Sequence, residues 1–290
     1  MQINSNMKIK KRKNNIAYIG LFVLALSCFY CNNVFALNFQ IDKAKIMVEL
    51  PPGWSDGGTI EVENKGDDPI SVRVYVADWQ YSEADGSKNF LPANTAENSC
   101  ANWIKFYPAD FTVPSKEKQT INYVIEIPNN ASGGYYAVLF FEVQTGVSWD
   151  QTSQTYVKVY NRLGTLFYVE PEGSVRKEAQ VSNLGIEELT GVVKATVNFN
   201  NTGNVQVVAK GSFDIIDNKG IVLARGDFGE VYAMPGDNFV VSATGYASVF
   251  EPGTYDVIVT FDLGKAVEVG EWKMAVNSAG EITGVQANIQ

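Results

Sequence analysis

The chain has 290 residues, with 23 Lys and Arg against 32 Asp and Glu for a formal net charge of −9, and it is 46% hydrophobic and 19% charged. That balance excludes a disordered chain and a coiled coil, and its acidity argues against a nucleic-acid binder that must neutralise phosphates. Histidine is absent, which removes His-based triads, His metal sites and imidazole proton shuttles together. The length leaves room for two modest domains.

The chain opens with a basic cluster, Lys8, Lys10, Lys11, Arg12 and Lys13, followed by an apolar run over 16–26. That run is short of the ~20 residues of a comfortable membrane span. Val34-Phe35-Ala36 places small residues at −3 and −1 of a cleavage site. The three features together predict a secretory signal over 1–36 and a mature chain starting at Leu37. An uncleaved anchor and a lipoprotein cut before Cys28 are the alternatives. Removing the segment's five positive charges carries the formal net charge from −9 to −14. Cys28 and Cys31 leave with it, so Cys100 stands alone and no internal disulfide is expected. The simplest reading of Cys100 is a half-buried single cysteine. The most apolar later run, 135–141, is broken by Glu142 and suits a buried strand, so no membrane span is expected in the mature chain.

Beyond the signal the hydrophobic period is two. Ile60, Val62 and Asn64 alternate with Thr59, Glu61 and Glu63 before a turn over 65–69. Val72, Val74 and Val76 form a second alternating run, and Ile121, Tyr123, Ile125 and Ile127 a third. One face of each suits a core and the other water, the mark of antiparallel sheets. The segment 82–102, rich in Ala, Asn, Asp and Ser, is expected to be a long loop. After Pro171-Glu172-Gly173 the pattern restarts. Lys194, Thr196 and Asn198 alternate with Ala195, Val197 and Phe199; turns follow at Asn201-Thr202-Gly203-Asn204, Asp217-Asn218-Lys219-Gly220 and Met234-Pro235-Gly236-Asp237. The expectation is an all-β protein of two tandem immunoglobulin-like β-sandwich domains of about seven strands each, over 37–170 and 171–276, with a loose tail over 277–290.

Little in the sequence points to catalysis. Carboxylates are plentiful, but they sit at turns and on solvent faces with no fixed pair of the kind that hydrolyses a glycoside. Serine nucleophiles lack a histidine base. Asp217-Asn218-Lys219-Gly220 lacks the alternating acids and closing Glu of a calcium loop and is expected to be a hairpin turn. Arg225-Gly226-Asp227 is the tripeptide some integrins read, but it falls in a strand pattern. No enzyme, no cofactor and no metal site is expected.

The more informative residues lie at the two ends of the first domain. Ile41-Asp42-Lys43-Ala44-Lys45-Ile46-Met47-Val48 is a basic strand with alternating apolar residues. At the other end Tyr156-Val157-Lys158-Val159-Tyr160 runs through Asn161-Arg162-Leu163-Gly164-Thr165 into Leu166-Phe167-Tyr168. Over roughly 38–170 this arrangement, with Ile60-x-Val62-x-Asn64, Pro69 and Val72-x-Val74, resembles the N-terminal domain of PapD-like periplasmic chaperones of pilus assembly. The second half, through Phe199-x-Asn201-Thr202-Gly203-Asn204 and Pro252-Gly253-x-Tyr255-x-Val257, resembles bacterial surface immunoglobulin-like domains. The layout is also similar to that of WxL-interacting surface proteins, whose C-terminal membrane helix and basic tail the last residues here do not show; a released or periplasmic protein is the expectation.

The chaperone resemblance implies that a basic residue on the first strand and a lysine just before the Leu-Phe-Tyr run grip a client's C-terminal carboxylate. Lys45 takes the first position and Thr165 the second, a departure from the pattern. Arg162 is three residues upstream of Thr165, and three steps change face in a strand, so it does not simply substitute. The client-binding candidates are therefore Lys45, Val157, Val159 and Arg162. The mechanism would be strand addition to an edge, with an exported, pilin-like or surface protein as partner. Two alternatives stay open: that Val157 and Val159 face the domain's own core, and that the chain is a structural or adhesive surface protein with no client.

Overall fold

The computed structural model describes residues 39–189 and 191–288. The expected cleavage after Ala36, and Cys28 and Cys31, lie outside these residues. The described chain is all-β and folds as two β-sandwiches.

The first sandwich is built from β1 (Phe39–Ile41), β2 (Lys45–Val48), β3 (Ser55–Asn64), β4 (Ile70–Tyr81), β5 (Lys88–Leu91), β6 (Ile104–Tyr107), β7 (Asp110–Val113), β8 (Lys118–Glu126), β9 (Tyr135–Asp150) and β10 (Thr155–Val169). One sheet has the order β1-β3-β8-β6 and the other β2-β10-β9-β4-β5, with β7 also paired to β4. The alternating residues meet between the sheets. Ile60, Val62, Ile121 and Ile125 from one sheet and Val72, Val74, Leu139, Phe141, Phe167 and Val169 from the other are buried in one core.

The first segment crosses between the sheets. β1 pairs antiparallel with β3, Phe39 opposite Asn64, whereas β2 pairs parallel with β10, Lys45 opposite Leu166. The crossover is tied on both sides. The Asp42 carboxylate accepts the Glu61 N–H at 2.8 Å, the Lys43 carbonyl accepts the Thr165 hydroxyl at 2.6 Å, and the Ala44 carbonyl accepts the Leu166 N–H at 2.9 Å.

The second sandwich comprises β11 (Ala179–Leu189), β12 (Val192–Asn201), β13 (Val207–Ile216), β14 (Val222–Ala233), β15 (Asn238–Ala247), β16 (Gly253–Asp262), β17 (Val267–Val276) and β18 (Ile282–Ala287). They form one continuous sheet, β11-β12-β15-β14-β13-β16-β17-β18, which curls until β11 lies against β17 and β18. Phe199, Phe213, Ile215, Val257, Phe261 and Met274 fill its interior.

Both halves hold the same device. Asn64 ends β3 and Asn201 ends β12, each fully buried and each followed two residues later by glycine. The Asn64 amide donates to the carbonyls of Asp68 (2.8 Å), Val113 (3.1 Å) and Pro114 (3.1 Å) and accepts the Gly66 N–H. Asn201 donates to Val205 (2.9 Å) and Ala233 (3.0 Å) and accepts the Gly203 N–H. Each amide satisfies carbonyls of its turn and of a neighbouring strand end, including the buried carbonyl of Val113 for Asn64 and those of Val205 and Ala233 for Asn201.

Three expectations need correction. The strand counts are ten and eight rather than about seven. The expected loop over 82–102 contains β5, hairpin-paired to β4, and a 3₁₀ turn at Ala101–Trp103. The expected tail contains β18, which pairs with β17 and carries only Ile282 and Val285 towards the core; its sparse apolar content hid it. Asp217-Asn218-Lys219-Gly220 is a hairpin turn, with Gly220 at φ +82° and the Asp217 carboxylate accepting the Lys219 and Ile221 N–H groups.

Candidate functional site

β10 is the long edge of the first sandwich. It pairs with β9 over its whole length, whereas β2 covers its other side only at 166–169. Over 155–165 that second side has no strand partner among the described residues, leaving eleven residues of backbone for another strand. The β9–β10 hairpin also runs on past the core, and none of residues 144–160 is buried. Tyr and Val favour extended backbone there, and the Trp149 and Tyr156 rings pack edge to face at 4.9 Å across the hairpin. A bulge at Val159/Tyr160 leaves Thr145 as the extra residue on β9, and such bulges strengthen strand twist.

The two faces of β10 differ in kind. Leu163, Phe167 and Val169 point to the core, and by strand alternation Val157 and Val159 continue the same row. The row outruns the sandwich, so Val157 and Val159 are each 40% exposed. They lie on the core-directed face without belonging to the core. The opposite face carries Tyr156, Lys158, Tyr160, Arg162, Leu166 and Tyr168.

Lys45 and Arg162 both lie on that opposite face. Lys45 is exposed, with Nζ 4.1 Å from the centre of the Tyr168 ring. Arg162 stacks 4.4 Å from the Phe140 ring, and one of its N–H groups donates to the Tyr75 hydroxyl at 3.4 Å. That hydroxyl in turn donates to Glu142 at 3.3 Å. In register the two cations are four β10 residues apart, about 13 Å along the strand. Thr165 faces inward, fully buried, and its hydroxyl is committed to the Lys43 carbonyl. A cation at 165 would have to sit in the core, so this position is part of the crossover. Gly164 has a steric role: a Cβ there would meet Val138 at 2.7 Å and the Phe140 ring at 3.0 Å.

Beneath the cations lies an aromatic cluster on the outer face of the six-stranded sheet. Trp79 packs against Tyr81, Tyr136 and Tyr168 at centroid separations of 5.4, 5.5 and 5.0 Å. Lys88 adds a third cation, 5.4 Å from the Tyr81 ring. The second sandwich joins this cluster through Met234 and Tyr232. The Tyr136 hydroxyl accepts the Gln206 N–H at 2.6 Å, and the Tyr81 hydroxyl donates to the Gln206 side chain at 3.2 Å. Burial, reinforced for Tyr81 by neighbouring tyrosines, holds both phenols well above the usual tyrosine range.

Sequence reasoning did not single out Trp149 and Lys88, and it placed Tyr156 and Leu163 in the β10 run without a binding role; that this run has an uncovered side needs the pairing. Other candidates are occupied structurally. Asp78, a buried acid, accepts the Thr95 and Ala96 N–H groups and the Ser99 hydroxyl at 2.6–2.8 Å. Cys100 is fully buried rather than half-buried, and burial pushes its thiol far up. Arg225 is held by both oxygens of Asp214, and the Asp227 carboxylate accepts the Gly229 N–H, so the Arg-Gly-Asp tripeptide sits within β14.

No protein-family model and no curated protein matches the chain. Among solved structures it is similar to a chain of the chaperone–tip adhesin complex of CFA/I fimbriae biogenesis, at 12% identity over 80% of this chain and 98% of that one, TM-score 0.46. It is similar to the class 5 fimbriae chaperone CfaA at 13% identity over 87% and 100%, TM-score 0.44. It is also similar to a chain of the CsuC–CsuE chaperone–tip adhesion subunit pre-assembly complex of Acinetobacter baumannii Csu pili, at 11% identity over 80% and 97%, TM-score 0.39.

Proposed function

We propose that this chain is an exported, non-enzymatic protein-binding module, periplasmic or at the cell surface, that holds an extended client strand by β-strand addition along β10. The observation that carries this reading is the eleven-residue stretch 155–165, whose second side has no strand partner among the described residues, with Val157 and Val159 on one face of an arm that contributes nothing to the core. An added strand gains main-chain hydrogen bonds worth ~1 kcal/mol net each, and apolar side chains supply selectivity. The client is an exported protein of pilin-like or surface type.

The direction of the added strand follows from charge. A client continuing the line of β2 runs parallel to β10 and brings its C-terminus towards Lys45; an antiparallel client would bring an ammonium group there. Lys45 therefore favours a terminal carboxylate, with Arg162 further along the same face. Val157 and Val159 act on the other side of the client strand.

Calorimetric titration of the full chain with C-terminal peptides of co-exported proteins tests this. Val157→Asp with Val159→Asp should abolish binding and leave the melting temperature unchanged, because neither residue is in the core. Lys45→Ala should cost ~1.5–3 kcal/mol, the range of a charged hydrogen bond. A loss below ~0.5 kcal/mol would mark Lys45 as an ordinary solvated lysine. Peptides that bind the double arm variant as tightly as wild type would end the strand-addition reading.

A further inference from the structure

The strands of the second sandwich that meet the first at one end have their other ends at a surface that nothing so far explains. Leu189, Val192 and Tyr246 form a cross-strand row there, successive partners in register on β11, β12 and β15. Tyr246 is 87% exposed, and Val249, three residues on, is 86% exposed. Val222 adds a further exposed apolar side chain. Two hydrogen bonds bring these segments together: Ala247 N–H to the Gly191 carbonyl at 3.4 Å and Ser248 N–H to the Leu223 carbonyl at 3.1 Å. Single exposed apolar residues are ordinary, but a contiguous group marks an interaction surface. Loops at one end of a sandwich are also where such folds place recognition.

The rim is acidic. Glu188, Glu251 and Glu281 are exposed at this end, and no ion pair among the described residues engages any of them. Lys194 lies opposite Glu187 in register, which offsets that acid; Arg225, opposite Tyr246, is exposed but paired with Asp214; Lys219 stands in the turn after β13. Glu188 and Glu281 flank the same concavity beside Leu189. A partner covering Tyr246 and Val249 must therefore desolvate or neutralise carboxylates, which selects a partner bearing cations around apolar side chains.

We propose that the far end of the second sandwich is a docking surface for a basic, apolar polypeptide segment, distinct in place and chemistry from the β10 edge. Tyr246 and Val249 are its apolar anchors and Glu188 and Glu281 its charge selectors.

The probe is a fluorescently labelled, end-capped peptide of lysines bearing two leucines, titrated against the full chain by anisotropy, with the glutamate analogue as control. The lysine peptide should bind, weaken as salt is raised above ~0.1 M, where charges are screened beyond ~10 Å, and be preferred to the glutamate peptide. Tyr246→Ser with Val249→Ser should weaken it at least ~10-fold, as loss of exposed anchors does; both residues are exposed, so the fold is kept. Glu188→Lys with Glu281→Lys should abolish the preference for lysine. Val157→Asp with Val159→Asp should leave binding unchanged, which separates this surface from the arm. Absence of binding below millimolar concentration, equal binding of both peptides, or affinity indifferent to the Tyr246 and Val249 changes would each overturn the proposal.

Discussion

Asn64→Ala and Asn201→Ala should each destabilise the protein far more than a turn-proximal asparagine ordinarily would. Each side chain is fully buried. Asn64 serves three carbonyls and one N–H, and Asn201 two carbonyls and one N–H. At ~1 kcal/mol net per bond, with buried carbonyls left unpaired, the loss is ~2–4 kcal/mol at either site. An exposed turn residue would cost no more than ~0.5 kcal/mol. At about 2–4 °C per kcal/mol for a chain of this size, that lowers Tm by about 5–15 °C. Asn64→Asp should cost more than the alanine, since it keeps the shape but aims a carboxylate at three carbonyl oxygens. Guanidinium denaturation followed by tryptophan fluorescence measures both sites, with Trp79 and Trp103 reporting on the first sandwich and Trp272 on the second. The two sites share no partners, so the double variant should be additive within ~0.5 kcal/mol. An Asn64→Asp protein as stable as wild type, or alanine variants within ~0.5 kcal/mol of it, would refute the account of these amides.

Tyr136→Phe removes the acceptor of the Gln206 N–H and leaves a buried donor unpaired, so denaturation should show a loss of ~1–3 kcal/mol and earlier release of the second sandwich. Burial keeps the Cys100 thiol protonated in the folded protein while the unfolded chain ionises above pH ~8.5. Its stabilising effect is complete below that pH, and stability should then fall by ~1.4 kcal/mol per pH unit as pH rises. Cys100→Ala should remove that slope up to pH ~10, where Tyr81 and Tyr136 begin to contribute; a slope unchanged in the variant would show that another group is responsible.

What the sequence revealed was whatever depends on period two. Ile60, Val62 and Asn64 were legible as one face, and all three are buried. Ile121, Tyr123 and Ile125 were equally plain. Pairing was not legible, because alternation states which way a side chain points and not which strand lies beside it. The crossover of β1 and β2 depends on hydrogen bonds between residues over a hundred positions apart, such as Thr165 to Lys43. The expectations that Lys45 takes the first carboxylate-gripping position and that Thr165 departs from the second came from resemblance, but the burial of Thr165 and the shared face of Lys45 and Arg162 required the register. The arm was half legible: Val157 and Val159 alternate as any buried strand does, and only the end of the core at Leu163 shows that they are uncovered.

That end of the core is the strongest reason to assign the arm a partner. Unpaired edges template unwanted pairing, and folded proteins keep them short or break them. The strands that end the two sheets of the first sandwich obey this rule: β1 has three residues and β2, β5, β6 and β7 four each. β10 departs from it: among the described residues 155–165 have a strand partner on one side only, and they carry Val157, Val159 and Leu163. Shortening the β9–β10 hairpin to the end of the sandwich would remove no buried side chain, since none of residues 144–160 is buried. A longer arm thus adds aggregation risk and nothing to stability. Lys158, Arg162 and the bulge at Val159/Tyr160 limit that risk, for charge and twist deter a second identical edge, yet they leave the main-chain donors and acceptors open to a strand ending in a negative charge. An edge kept long, apolar on its core-directed face and cationic on the other is what the proposed strand addition requires.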